Sequence, residues 1–440
     1  MKTYTNTRRG FLRMGLGSMA AAGAMNAFAA GSDYKALVCV FLNGGNDCHN
    51  TVVPIQTAQQ NYNSYFYARP GLAISQAQLL PVSDGNDVYG LHPQLGGLQS
   101  LYTSGKLAIL PNMGMLVQPI VDRQALLGGA PVPQNLYSHS DQTDQWQTAV
   151  PNNLSATGWG GRLADYMVSS NAGAAYPSLI ATGGGGIFCT GGATYPATVP
   201  PSGAIGLNML SNNPARALGA QQVLQFDNGL QLVQAANGVT NRGVSHAALL
   251  NNALLSGPSV PAFGAGSLAA QLRMVARIIS VRSQLGISRQ VFFCSLGGFD
   301  THSAQAGQHD TLMAQLGPAI AGFQLALQGL LVDQQVTLFT ASEFGRTLMP
   351  NSSGGTDHAW GGHHFVAGGA VVGGKMYGSY PLLALGGPSD ATGRGALIPG
   401  TSVEQVGAAL AKWFGVPDPS MGSIFPNIGK FPGPGLGFMG

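Results

Sequence analysis

The chain has 440 residues, of which 45% are apolar and only 8% are charged, so it can bury the large core of an α/β enzyme. Its formal charge of +3 falls to −1 once the four cations of the first 29 residues are removed. This balance excludes a basic surface for nucleic acid or anionic lipid. After those residues, no stretch is long and apolar enough to span a bilayer.

The first 29 residues have the pattern of a twin-arginine signal peptide. Arg8 and Arg9 are followed by an apolar run at residues 14–28, and Ala27-Phe28-Ala29 offers a cleavage site of the small-x-small type. The alternative is a disordered basic tail. The pattern predicts one partner, the twin-arginine export machinery, and a periplasmic or secreted protein. This machinery carries folded proteins, which suits an enzyme that acquires its cofactor in the cytoplasm.

Five runs rich in apolar and β-branched residues predict strands, and the first, which is unbroken, predicts a strand buried on both faces of a sheet. The runs lie at residues 35–42, 107–110, 178–182, 291–296 and 336–341. Helices are predicted at residues 267–285 and 311–332, and a capping box formed by Thr401 and Glu404 predicts a last helix through Trp413. A strand, a crossover helix and a strand in this order favour a parallel sheet. Residues 30–440 are therefore predicted to form a single doubly wound α/β domain. Helices sandwich its mainly parallel sheet, and an irregular insertion lies at about residues 187–260.

Ionisable residues follow three of these strands at their carboxyl ends, where open α/β sheets bind ligands. Carboxylate and imidazole groups bind zinc, manganese or iron, and carboxylate-rich sites also suit magnesium or calcium. We therefore predict a site for divalent metal ions, two of them if the centre clamps both oxygens of a group transfer. Its predicted ligands are Asp47, Asp300, His302, Glu343, Asp357, His358 and His363. Taken alone, His302 is equally consistent with a hydrogen-bonded loop histidine.

Two adjacent histidines, His363 and His364, cannot point the same way on an extended chain. At most one of them is a ligand of a given ion. We favour His363, and we expect the other to form hydrogen bonds behind the ligands.

Ser140 is the predicted nucleophile, because it stands among His139, Asp141 and Gln142 and metal coordination could lower its pKa. The alternative is that this serine caps a helix. Two other hydroxyls, those of Thr51 and Thr301, are further alternatives. Arg346 is predicted either to stabilise negative charge on a transferred group or to pair with Glu343.

Four segments, together with the leader, resemble an uncharacterised exported bacterial family, domain of unknown function 1501. They are FLNGGND (41–47), GGFDTHSAQ (297–305), SEFGRT (342–347) and GTDHAWGGHHF (355–365). The resemblance covers essentially the whole mature chain. It implies membership of the alkaline-phosphatase-like superfamily, which includes sulfatases, and with it a doubly wound α/β sandwich and a two-metal site.

The chain departs from that superfamily at two points. The superfamily's Asp-His pair directly follows its strand, whereas Ser342-Glu343 stands there in this chain and Asp357-His358 comes later. Glu343 or the later pair can therefore serve either ion. No C-x-P-x-R motif occurs, which argues against sulfatase chemistry of that type.

The sequence thus predicts an exported metal-dependent hydrolase that acts on a phosphate or sulfate ester, or a related anionic group. Its substrate would be a small molecule or a polysaccharide. The alternative is a non-catalytic envelope or polysaccharide-binding protein on the same fold. The absence of a G-x-S-x-G elbow counts against an ordinary α/β-hydrolase.

Overall fold

The structure is a computed structural model that describes residues 33–152, 155–202, 205–206, 213–226, 229–431, 433 and 435–440. The predicted signal peptide lies outside the described residues. The strands are β1 (Lys35–Asn43), β2 (Val52–Gln56), β3 (Leu80–Ser83), β4 (Val88–Leu91), β5 (Leu107–Gly114), β6 (Leu179–Ala181), β7 (Ala197–Thr198), β8 (Arg289–Gly297), β9 (Val336–Ala341), β10 (Gly362–Gly368), β11 (Lys375–Met376) and β12 (Thr401–Ser402).

Helices separate and follow these strands. They are α1 (Cys48–Thr51), α2 (Tyr62–Ala68), α3 (Gly96–Thr103), α4 (Arg123–Leu127), α5 (His139–Thr148), α6 (Trp159–Tyr166), α7 (Pro214–Gln225), α8 (Gln231–Ser256), α9 (Gly266–Ser280), α10 (Arg282–Leu285), α11 (Gln305–Gly329), α12 (Val403–Phe414) and α13 (Met421–Ile424). Within the part of the chain that the structure describes, none of them has the length and hydrophobicity needed to cross a bilayer.

One mixed sheet forms the centre of the fold, with the strand order β11-β5-β10-β9-β1-β8-β6-β7 and with β12 also paired to β5. β1 pairs in parallel with both β8 and β9, whereas β10 runs antiparallel to β9 and β5. Phe41 of β1 lies opposite Ser295 of β8 and Ala341 of β9, so these three strands end almost level. The predicted α/β fold with a mainly parallel sheet is confirmed.

The sheet is buried on both faces. Successive side chains of a strand point to opposite sides, and in β1 Val40 belongs to a core shared with α9 and α11, while Phe41 belongs to a core shared with α6 and α12. This explains why the strand is apolar without alternation. A separate three-stranded sheet has the strand order β2-β4-β3.

Details of the predicted helices differ from the structure. The predicted helix at residues 267–285 is divided at Val281 into α9 and α10, and Gly286 ends the second with φ +71°, a left-handed conformation that glycine adopts at little cost. The capping box at the start of α12 lies one residue later than predicted. Ser402, not Thr401, accepts a hydrogen bond from the backbone N–H of Gln405, and the Gln405 side chain accepts one from the backbone N–H of Ser402.

Ser402→Ala is expected to lower the free energy of unfolding by about 1 kcal/mol, because it leaves a backbone N–H of the first turn of α12 without its acceptor. Urea denaturation followed by circular dichroism measures the change. Ser423→Ala, at an exposed serine of α13, is the control and is expected to stay within about 0.5 kcal/mol of the parent. Equal stabilities for the two variants would contradict the capping role.

Candidate metal centre

Ionisable side chains from four segments meet at the carboxyl edge of the central sheet. The loop after β8 carries Asp300 and His302, and the loop after β9 carries Glu343. Because β10 is antiparallel, the segment that enters it reaches the same edge with His358. The helix α5 begins there at His139. The sheet topology therefore brings together residues that lie far apart in the sequence.

Three histidines and one aspartate form what we call the histidine cluster: His139, His302, His358 and Asp300. The Nε2 atoms of His139, His302 and His358 lie 3.4, 2.9 and 3.3 Å from Oδ1 of Asp300. Nε2 of His302 is also 3.0 Å from Nε2 of His358. One ligand atom from each of His139, Asp300 and His358 lies within 4.8 Å of the others. These three residues thus offer two nitrogen donors and one oxygen donor around one point, and His302 adjoins them.

The outer nitrogens of two of these rings are held by acceptors. Nδ1 of His139 is 2.9 Å from Oε1 of Glu343, and Nδ1 of His358 is 2.8 Å from the carbonyl oxygen of Tyr137. A carbonyl or an ionised carboxylate can only accept, so each Nδ1–H donates and the neutral ring keeps its lone pair on Nε2. Nε2 of His139 is buried and has no hydrogen-bond partner among the described residues. Both lone pairs are thereby directed toward Asp300.

A buried arginine fixes Asp300. The guanidinium of Arg346 is fully buried and donates to the carbonyl oxygens of Gly44, Gly45 and Thr356 as well as to the Asp300 carboxylate. The Asp300 side chain itself remains 48% exposed. Arg346 therefore holds Oδ1 of Asp300, the same oxygen that the three ring nitrogens approach, while the carboxylate stays partly exposed.

The surroundings favour the protonation states that a metal ligand needs. Partial burial of Asp300 raises its pKa, but the hydrogen bond and charge of Arg346 outweigh burial and hold the pKa at about 2. Burial lowers the pKa of His358; the Tyr137 carbonyl opposes that shift, and the charge of Arg346 adds to it. At neutral pH the cluster therefore presents a carboxylate and a neutral imidazole at these two positions.

Glycines allow the loops to approach one another closely. Gly44 has φ +116°, and a Cβ atom built there would lie 2.3 Å from the backbone nitrogen of Asp300. Its N–H donates to Oε1 of Glu343 at 2.8 Å. A Cβ at Gly355 would lie 2.2 Å from the backbone of His302. No larger residue fits at either place without displacing a cluster loop.

Asp357 lies on the outer side of the cluster. Its Oδ1 is 3.6 Å from Nδ1 of His302, and it accepts hydrogen bonds from Asn351 and Arg394. Partial burial raises the pKa of Asp357, but these hydrogen bonds lower it further than burial raises it. The carboxylate adjoins the far nitrogen of His302, so it is placed to orient that ring.

Two other predicted ligands, Asp47 and His363, lie away from these groups. Asp47 is buried, pairs with Arg69 and accepts a hydrogen bond from Gln305. His363 is buried on β10, and its Nδ1 accepts from the backbone N–H of Asn112 at 3.0 Å. Among the hydrogen bonds and ion pairs of the described residues, none joins either side chain to the histidine cluster. Their assignment as ligands stays a prediction.

The adjacent histidines do face different surroundings. The His363 ring lies 4.8 Å from the ring of Tyr380, whereas the His364 ring lies 5.1 Å from that of Trp146. Both rings are buried within the fold.

Ser140 follows His139 in the first turn of α5, which Ser138 caps by accepting from the backbone N–H of Asp141. The Ser140 hydroxyl is exposed, lies 3.1 Å from Oγ of Ser138 and donates to Asp141 at 3.2 Å. It lines a small cleft with Asp144 and with residues 151–152, away from the rings of the cluster. The helix cap predicted for Ser140 thus belongs to Ser138, and its role as nucleophile stays a prediction.

The sequence reasoning missed three residues of this region: His139, Arg69 and Arg394. In the sequence, only the polar run Tyr137–Gln142, which also contains Ser140, indicates that His139 could belong to a site. His139 does not follow a predicted strand, so the position of the strand ends could not identify it.

Comparison with known proteins matches the chain to a family and to solved structures. The family model described as "Protein of unknown function (DUF1501)" matches residues 34–392. A search of the curated proteins gives no match.

The two structures are described as Ps i-CgsB and as Ps i-CgsB in complex with k-i-k-neocarrahexaose. They are 9% and 8% identical to this chain, with TM-scores of 0.34 and 0.33. The alignments cover 90% of this chain and 77% and 76% of theirs. Likeness at this level does not assign a function.

Proposed function

The chain belongs to the DUF1501 family of proteins of unknown function, and we propose that it is a metal-dependent hydrolase with its ion at the histidine cluster. One observation carries the proposal. Two rings, those of His139 and His358, are held at Nδ1 by acceptors, and their Nε2 atoms converge on the oxygen of Asp300. This is how proteins orient histidines toward a metal.

The separations among the donors fit a small divalent ion. A tetrahedral site with ligands at about 2.05 Å from zinc has edges of about 3.3 Å. In the group formed by His139, Asp300 and His358, the Nε2 atoms of the two histidines lie 3.4 and 3.3 Å from Oδ1 of Asp300, close to this edge length. A donor set rich in imidazole favours zinc, manganese or iron over magnesium or calcium.

The cluster is open to solvent, as a catalytic site must be. The side chains of His139, His302 and Asp300 are 37%, 45% and 48% exposed. Structural zinc sites are closed by protein ligands, whereas catalytic sites keep one position for water or substrate. When bound, the ion would act as a Lewis acid and would lower the pKa of water that it holds.

The contacts favour one ion over the two that the sequence suggests. A second ion in such centres lies about 3.5–4 Å from the first and needs its own carboxylates. Asp47 would be the natural ligand, but the buried guanidinium of Arg69 already neutralises it. Asp357 is likewise paired, with Arg394.

Three other residues near the cluster have separate proposed roles. Arg346 has its guanidinium committed to backbone carbonyls and Asp300, so it positions the carboxylate ligand. Glu343 orients His139. Arg394, 43% exposed, is paired with Asp357 through one nitrogen of its guanidinium. Its remaining N–H groups are placed to donate to the anionic group of a phosphate or sulfate ester.

Two finer assignments belong to the same proposal. The alkaline-phosphatase-like class is supported by acids and imidazoles gathered at the carboxyl edge of a mainly parallel sheet. Export to the periplasm or the outside of the cell is supported by the twin-arginine pattern at residues 7–12 and the cleavage site that ends at Ala29.

The test is metal content and ester hydrolysis by the full chain. Protein stripped with a chelator is reloaded separately with zinc, manganese, magnesium and calcium, analysed for bound metal, and assayed on aryl phosphate, phosphodiester and sulfate esters. We expect about one transition-metal ion per chain and hydrolysis that disappears on stripping. Protein that binds none of the four ions and hydrolyses none of the esters would refute the proposal.

A further inference from the structure

A second cleft, of about 800 Å³, lies between α8 and the strand β7. Its volume falls within the range of about 300–1,000 Å³ that is usual for ligand sites. The floor is formed by Tyr176 and Pro177, which lie two to three residues before the start of β6 at Leu179. Because the floor lies at the amino end of a parallel strand, this cleft is at the edge of the sheet opposite the histidine cluster.

One wall of the cleft is a single face of α8. Its lining residues are Val239, Arg242, Gly243, His246 and Ala247. Positions three and four residues apart lie on the same side of a helix. Small residues at 243 and 247 leave room in the middle of this face, and the polar side chains at 242 and 246 flank it.

The opposite wall is β7 with its flanking residues. Tyr195 is the outermost of these, and its side chain is 72% exposed although it borders a cleft. Tyr176, by contrast, is only 5% exposed, and its ring lies 5.5 Å from that of His246. Prolines at positions 177, 196 and 200 stiffen the surface around them. The cleft therefore has an aromatic floor and an aromatic lip in a rigid frame.

The charge among the described lining residues of the cleft is positive. Arg242 is exposed, and no aspartate or glutamate occurs among the described lining residues. Burial lowers the pKa of His246, and the charge of Arg242 lowers it further, which places the guanidinium near the imidazole. Among the described residues, no acidic side chain forms an ion pair with Arg242, and an exposed guanidinium in a cleft favours an anionic ligand.

We propose that this cleft binds an anionic oligosaccharide. Tyr195 offers a flat apolar face with a polar tip, which suits a pyranose ring, and the guanidinium of Arg242 offers planar, bidentate hydrogen bonding to a sulfate or carboxylate group. The site goes beyond the proposed hydrolase function and does not depend on it, because it shares no residue with the histidine cluster.

Binding is tested by calorimetry with three probes: maltohexaose, sulfated maltohexaose and hexagalacturonate. We expect one or both of the charged probes to bind and the neutral probe to bind at least about tenfold more weakly. Sulfated maltohexaose binding alone identifies a sulfate ligand, and hexagalacturonate binding alone identifies a carboxylate ligand. Protein stripped of metal is expected to bind equally well, so failure of the hydrolase proposal leaves this test unaffected.

Variants locate the binding. Tyr195→Ala is expected to weaken it about fivefold and Arg242→Ala about tenfold. Tyr67→Ala, at a side chain 75% exposed on α2, and Arg216→Ala on α7 are matched controls outside the cleft. The proposal is overturned by equal binding of all three probes, by no binding, or by binding that neither cleft variant changes. Preferential binding of a proline-rich peptide at this cleft would also overturn it.

Discussion

Replacing His139 by alanine is expected to lower the affinity for the metal ion by more than about 100-fold and to abolish ester hydrolysis. Substituting a residue that only orients a metal ligand typically lowers metal affinity or activity by about 10–100-fold. His139 is itself a proposed ligand, and its buried Nε2 has no hydrogen-bond partner among the described residues, so its loss should cost more. Glu343→Gln should give a smaller loss, of about 10–100-fold, because an amide oxygen can still accept from Nδ1 of His139 but carries no charge. Metal titration of stripped protein measures both affinities.

The neighbouring residue provides the control for this experiment. Ser140→Ala lies in the same turn of α5, and its exposed hydroxyl contacts Ser138 and Asp141 rather than the cluster. We expect it to bind metal like the parent protein and to keep most of the activity. Loss of activity with metal retained would instead support Ser140 as the nucleophile. Parent-like metal binding by His139→Ala would contradict the proposed centre.

The strands that could be predicted from the sequence are those buried on both faces. β1 is a run of apolar residues after Lys35, and β9 is a run of apolar residues and threonines. Polar residues follow both strands, and the structure places them side by side in the middle of the sheet. Such a pattern depends only on burial, which local sequence records. The loops after them could also be predicted as ligand-bearing, because parallel strands end at a common edge.

The composition of the site was harder to predict, because it depends on which loop side chains turn toward one another. His302 and His358 were expected at this edge, and both take part in the cluster. His139 comes from α5, whose place above the sheet is set by packing of Trp146 in the core, a contact that no local pattern records. His363 lies in a strand that alternates between two buried faces, so its sequence cannot tell which face meets an ion.

Asp47 is a second residue whose surroundings could not be predicted from the sequence. A carboxylate just after the first strand has the position of a ligand, but its partner is a cation at the end of α2. Arg69 follows a run of tyrosines and resembles a surface residue in sequence, yet it is fully buried. Charged residues are rarely buried without partners, and here the partner could be recognised only once the fold was known.

Arg69→Met is expected to lower the free energy of unfolding by about 3–5 kcal/mol, since removing one member of a buried ion pair leaves the other charge without compensation. The guanidinium also donates to Oδ1 of Asn50 and to the carbonyl oxygens of Thr347 and Leu348. These bonds join α2 to the loop that carries Arg346. Denaturant unfolding of the stripped protein measures the loss without a contribution from bound metal.

An exposed ion pair is the matched control. Lys412→Met removes the ion pair with Asp418, in which the side chains of Lys412 and Asp418 are 64% and 69% exposed. It should lower the free energy of unfolding by less than about 1 kcal/mol. Losses of similar size in the two variants would contradict the structural role of Arg69.

The Arg69→Met variant also tests how many metal ions the protein binds. If Asp47 serves only the fold, Arg69→Met still binds about one ion per chain under conditions where it is folded. If Asp47 is a ligand restrained by its arginine, the variant gains capacity for a second ion.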